Sequence, residues 1–419
     1  MRRLTICLLT LLVGVTLAAC GGGRGADDGA VTIGAIYPTS GRQGPGGAEE
    51  AEGARLAVEL ANQRGGVQGR QVRLEVLDVD AGGAAPAAME ALHARGIDIV
   101  LGSYGSTISA PAAVSAHRQG MLLWETGAVG EISADAGAGE SFFRMAPMGA
   151  SLGRAAVEFV EGQLQPLLGP PTDLRYAVAY VDDAYGRSVG LGAADEVTGA
   201  GRTLAGVFPY DVNRMDAPGL VRAIAETRPD VLFVSAYLED GIALRRETVA
   251  QRLPLKASIG TSSSYCMPSF AAALGPAAVG LFASDKPSGA EVRPDALSTE
   301  ARDALVWARD RYREHRHEEM TPAALSGFAN TWALVGNVLP ASPALTPAAV
   351  AATARTLKLP TGSLPNGAGL DLAGPGTLDA GENRAAVSVI WQWVDVRTQA
   401  VVWPPAFATR PLQAIPIQT

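Results

Sequence analysis

"IDIVLGSYGSTISAPAAVSAHRQG", residues 97–120, passes from an apolar run through a turn rich in glycine and hydroxyls into a helical pattern. Five residues of the turn offer hydroxyls: Ser103, Tyr104, Ser106, Thr107 and Ser109. Gly102 and Gly105 carry no side chain to block a visitor. Pro111 suits the first turn of a helix. A strand that feeds a helix in this way is one unit of a parallel α/β sheet, and such sheets bind ligands at the carboxyl ends of their strands. The exposed N–H groups of a helix N-terminus favour a carboxylate or another anion. Ser106 or Ser109 serving only as a helix cap is the competing reading.

The same rhythm extends both ways. "VTIGAIY" (31–37), "QVRLEVLDVD" (71–80) and "MLLW" (121–124) read as strands, with helical patterns at 49–66 and 85–96 between them. It pauses over residues 130–151 and restarts with strands at 175–181, 202–210, 231–237 and 255–260. The restart predicts a second doubly wound lobe. "GLFASDKPSG" (280–289) is an irregular strand exit; three helical patterns and a hairpin over 385–403 follow it.

Composition narrows the function. With 419 residues the chain is long enough for two full cores, and a formal net charge of −8 argues against a nucleic-acid partner. Three lysines stand among 34 basic residues, a bias read as compositional. "MRR", an apolar stretch over 4–17 and "LAAC" (17–20) read as a lipoprotein signal over 1–20. Cys20 is then the lipidated N-terminus, and 21–30 a flexible tether to the membrane. An ordinary signal peptide or a short membrane anchor is the alternative. Cys7 and Cys20 fall in the signal, so Cys266 has no partner for a disulfide or a CxxC zinc site. No nucleophile elbow, phosphate loop or HExxH motif is present, and the four histidines suggest no metal site. No catalytic residue, cofactor or metal is expected.

The segments "IGAIYPTSG", "GARLAVELANQRGGVQGRQVRLEVLDVD", "IVLGSYGSTISAPAA", "FFRMAP", "YVDDAYGRS" and "RPDVLFVSAYLEDG" resemble type I periplasmic binding proteins. The nearest branch binds leucine, isoleucine and valine, amides or urea and feeds ABC importers. The resemblance implies an α/β fold of two doubly wound parallel-sheet lobes joined by three crossovers. The first lobe would comprise 31–146 with 284–360, and the second 147–283 with 361–419. It implies a monomeric, non-enzymatic solute-binding lipoprotein partnered by an ABC permease and held on the extracytoplasmic face of the cell membrane. The solute would be a small carboxylate, an amino acid or a relative; an aromatic acid, an amide or a urea-like solute is the alternative, as is signalling to a membrane receptor.

For the site, the resemblance places Ser106, with Ser103, Tyr104 and Thr107, on the ligand carboxylate. The Thr126 carbonyl falls on the ammonium, while Tyr185, Tyr237 and Ser262 face it from the second lobe. Ala128 stands where relatives carry a threonine, Gly46 lies near a tyrosine position and Ser262 near the usual acid. Glu125 or Glu239 would have to replace the missing negative charge, and Trp124 is either an aromatic wall or core.

Overall fold

The computed structural model describes residues 29–132, 136–168, 173–261, 263–287, 292–377 and 379–418. Cys20, the tether up to residue 28 and Ser262 lie outside the described residues.

The first lobe holds strands β1 (Val31–Tyr37), β2 (Val72–Asp78), β3 (Ile99–Gly102), β4 (Leu122–Glu125) and β5 (Phe142–Arg144), with helices α1 (Gly44–Gln63), α2 (Ala85–His93) and α3 (Ser106–Gln119). Its sheet is wholly parallel, in the order β2-β1-β3-β4-β5. In the second lobe come α4 (Gly149–Phe159), β6 (Arg175–Val181), α5 (Ala184–Gly199), β7 (Thr203–Tyr210), α6 (Ala217–Glu226) and β8 (Val231–Ser235). There follow α7 (Leu238–Ala250), β9 (Ala257–Thr261), α8 (Pro268–Leu274) and β10 (Phe282–Asp285). The chain then returns to the first lobe with α9 (Thr299–Arg316), α10 (Pro322–Trp332), a short α11 (Leu339–Ala341) and α12 (Pro347–Thr356). It ends in β11 (Val389–Trp393) and β12 (Gln399–Trp403). This hairpin extends the second sheet antiparallel beyond β10, giving the order β12-β11-β10-β9-β8-β6-β7.

Strand periodicity explains why these segments read as unbroken apolar runs. Along β1, Ile33, Ala35 and Tyr37 enter the core layer of α1, α9 and α10, and Ile36 enters the layer of α2 and α3. Leu122 and Trp124 likewise oppose Leu123, and Phe143 opposes Phe142. Both faces are covered, so both sets are apolar.

Three expectations need correction. Residues 361–419 do not all belong to the second lobe: Leu364, Ala368, Leu370 and Leu372 are buried in the first lobe's core, and Glu382 bridges to Arg144 on β5. The third crossing therefore falls between Glu382 and Val389. The section lacks periodicity, so only its burial reveals its lobe. The second crossing follows Asp285, because β10 pairs with β9 and β11 throughout. Helix α3 also begins at Ser106, five residues ahead of Pro111. Proline there removes one N–H, a loss the rest of the helix tolerates.

Helices α1 and α10 touch backbone to backbone. A Cβ on Gly53 would overlap the Ala324 carbonyl, and one on Gly327 would overlap that of Glu50. That approach brings Ser326 and Asn330 to the end of β4. Among the described residues, no helix is long and apolar enough to cross a membrane.

Candidate ligand-binding cleft

The carboxyl ends of both parallel sheets face each other. The loops that leave them line a small, nearly filled cavity with room for about 10 Å³. From the first lobe come Gln43 after β1, Tyr104, Gly105 and Ser106 after β3, and Gly127 and Val129 after β4. Tyr185 after β6, Tyr237 after β8, Ser263 after β9 and Lys286 after β10 complete the lining. The lobes touch here: the Tyr104 hydroxyl donates to Ser263 Oγ at 3.3 Å, and Arg42 Nη2 donates to Asn213 Oδ1 at 3.2 Å.

Helix α3 aims its N-terminus into the cavity. Its cap is Gly105, in extended backbone and without a side-chain cap, so neither Ser106 nor Ser109 serves as one. Ser106 Oγ instead accepts from the Gly130 N–H at 2.9 Å, which leaves the hydroxyl proton available to a ligand. Thr107 Oγ1 accepts from Gln43 Nε2 at 3.1 Å and braces the turn from outside the lining. Tyr104 stands in left-handed backbone with φ of 67°. Its ring fills the room over α1 that glycine leaves at position 46, since a Cβ there would overlap the Tyr104 hydroxyl. The space near Gly46 is thus occupied by another tyrosine.

Across the cleft, the Tyr185 hydroxyl shares a hydrogen bond with Thr261 Oγ1 at 2.7 Å. Burial raises its pKa above the ordinary value, so it stays a phenol. The Tyr185 and Tyr237 rings pack at 5.5 Å between centroids, and the Tyr237 hydroxyl donates to Asp183 Oδ2 at 2.7 Å. Ser262 lies outside the described residues; its neighbour Ser263 lines the cavity.

Glu125 is not the ligand's counter-charge. It is fully buried, and both its oxygens are taken. Oε2 accepts from the Ser103 N–H at 2.7 Å and from Ser109 Oγ at 2.5 Å. Oε1 accepts from the N–H groups of Gly127 at 2.9 Å and Ala128 at 2.8 Å. Strand period decides this: Glu125 shares the parity of Leu123 and turns towards α3. Ser103 and Ala128 therefore belong to this frame, and neither lines the cavity. The Thr126 carbonyl is also engaged, accepting from Ser326 Oγ at 2.7 Å and Asn330 Nδ2 at 2.6 Å. Trp124 is core, its Nε1 donating to the Asn330 carbonyl at 2.8 Å. Glu239 is exposed on the first turn of α7.

Two buried ionisable groups at the cleft carry no motif signal in the sequence reading. Glu50 of α1 accepts from Thr126 Oγ1 at 2.6 Å; burial raises its carboxyl from 4.5 to about 8, against the pull of Lys286. Lys286, 5% exposed, donates from Nζ to the Gly127 carbonyl at 3.1 Å. Its available signal was scarcity: one of three lysines, placed at a strand exit.

The model of a periplasmic binding protein family matches residues 30–387. The chain belongs to that family. Its members are binding proteins, and the two-lobed fold with a cleft at the strand ends fits them. A Leu/Ile/Val-binding protein homolog of Brucella suis is 27% identical over 398 residues, covering 94% of this chain and 95% of the relative. A leucine-binding protein of Thermotoga maritima superposes with a TM-score of 0.73 at 16% identity, over 89% of this chain and 97% of that one. A solute-binding protein of R. palustris in complex with benzoate gives 0.70 at 16% identity, over 92% and 99%.

The two buried carboxyls are expected to behave oppositely. Glu125→Gln sets an amide among donors and lowers stability by about 2–4 kcal/mol. The raised Glu50 pKa means the folded protein keeps a proton that the unfolded chain releases above 4.5. Wild type therefore loses stability as pH rises from 5 to 8, and Glu50→Gln escapes that loss by something on the order of 3–5 kcal/mol. Urea unfolding at pH 5 and 8 checks both; a Glu50→Gln curve parallel to wild type contradicts the assignment.

Proposed function

We propose that this protein is the extracytoplasmic solute-binding component of an ABC importer, anchored by a lipid on Cys20, and that it captures a small carboxylate solute between its two lobes. The observation that carries this reading is the aim of the α3 N-terminus, with the Ser106 hydroxyl, into a cavity shared by both lobes. A carboxylate placed there gains the partial positive charge of the helix end and the N–H groups of its first residues, Ser106 and Thr107. Tyr185 and Tyr237 cover it from the second lobe, so that binding energy is spent on closure. Among the structural relatives, one is in complex with isoleucine and another with benzoate, both carboxylates.

A thermal-shift screen of amino acids, 2-oxo acids and aromatic acids, followed by calorimetry, identifies the solute by the stabilisation a bound ligand confers. For the best ligand, Ser106→Ala is expected to weaken binding by about 1.5–3 kcal/mol. Unchanged affinity would remove Ser106 from the site. Cys20→Ala should release the protein from the membrane fraction; retention after an alkaline wash would contradict the lipid anchor.

A further inference from the structure

An α-amino acid brings two charges into such a cleft, and each needs a partner once water is excluded. The first lobe provides for the carboxylate at α3. The other end of the site is arranged differently. Behind the cavity, the Thr126 carbonyl is closed off by Ser326 and Asn330. The next carbonyl along the chain, that of Gly127, belongs to a residue lining the cavity, and Lys286 Nζ donates to it at 3.1 Å.

The charges agree with the hydrogen bonds. Among the described residues that line the cavity, Lys286 is the one charged side chain. Three of the surrounding carboxyls are directed elsewhere. Glu125 is saturated by Ser103, Ser109, Gly127 and Ala128. Asp183 accepts from the Gly186 N–H and the Tyr237 hydroxyl. Asp285 accepts from Cys266 Sγ at 3.0 Å. Glu50 takes the Thr126 hydroxyl with one oxygen and leaves the other, without a hydrogen-bond partner, against Gly127; its buried carboxyl holds a proton at neutral pH, so it does little to cancel the Lys286 charge. An incoming ammonium would find its acceptor taken and a like charge beside it. An anion finds the opposite.

We propose that Lys286 stands in for the ligand's ammonium group, so that the solute is an organic carboxylate without an α-amino group: a 2-oxo acid or a plain or aromatic carboxylate. This rests on the reading that a small carboxylate binds between the lobes. Lys286 leaves the second lobe at the end of β10 and donates to a first-lobe carbonyl. It therefore completes the closed cleft with a charge of its own, and the solute supplies only the negative partner.

Matched pairs test this by calorimetry on the full chain: L-leucine against 4-methyl-2-oxopentanoate, and L-phenylalanine against phenylpyruvate, with benzoate as a ligand that never carries the group. Wild type is expected to bind the amino-free member of a pair at least about tenfold more tightly. Lys286→Met frees the Gly127 carbonyl and removes the charge, so the preference should shrink by at least about tenfold or reverse. Lys286→Arg keeps the charge and should keep the preference. Tighter binding of the amino acid by wild type overturns the proposal, whether or not the variants fold. A folded Lys286→Met with an unaltered preference overturns it too. If wild type binds no carboxylate of the set, the carboxylate reading itself falls, and this inference with it.

Discussion

The carboxylate of Glu125 joins the two loops on which the cleft is built. One oxygen holds the turn after β3 through Ser103 and Ser109, and the other holds the turn after β4 through Gly127 and Ala128. Four donors around one buried anion are worth more than neutral hydrogen bonds, and losing the anion would orphan them together. With the turns so fixed, Gly105 caps α3, Ser106 can take the Gly130 N–H, and the Gly127 carbonyl meets Lys286. Ligand chemistry here depends on a charge the ligand never touches.

Three carboxyls near the cleft hold local structure. Glu125 braces loops, Asp183 caps α5 and orients Tyr237, and Glu50 holds Thr126. The positive groups are the helix end and Lys286.

The alternation of strands and helices was legible because both lobes cover their sheets on both faces, so strands such as Val31–Tyr37 appear as compact apolar runs. Ser106 and Tyr104 follow from the strand-to-helix turn after residues 97–101, whereas Tyr185 and Tyr237 rest on the family resemblance; all four line the cavity. For Glu125, adjacency to Thr126 along the chain misleads, because successive side chains of a strand face opposite layers. Segment 361–386 has no period to read, and only the burial of Leu364 and Leu370 assigns it to the first lobe. Lys286 carries no local pattern either: its meaning comes from a carbonyl 159 residues away in the sequence.

The most direct measurement is a crystal structure of the protein with a bound amino-free carboxylate. The account predicts carboxylate oxygens within hydrogen-bond distance of the Ser106 hydroxyl and the first-turn N–H groups of α3, with Lys286 Nζ still on the Gly127 carbonyl and Tyr185 covering the solute. A solute seated away from α3, or an amino-acid complex whose ammonium sits on the Gly127 carbonyl with Lys286 turned aside, would contradict it.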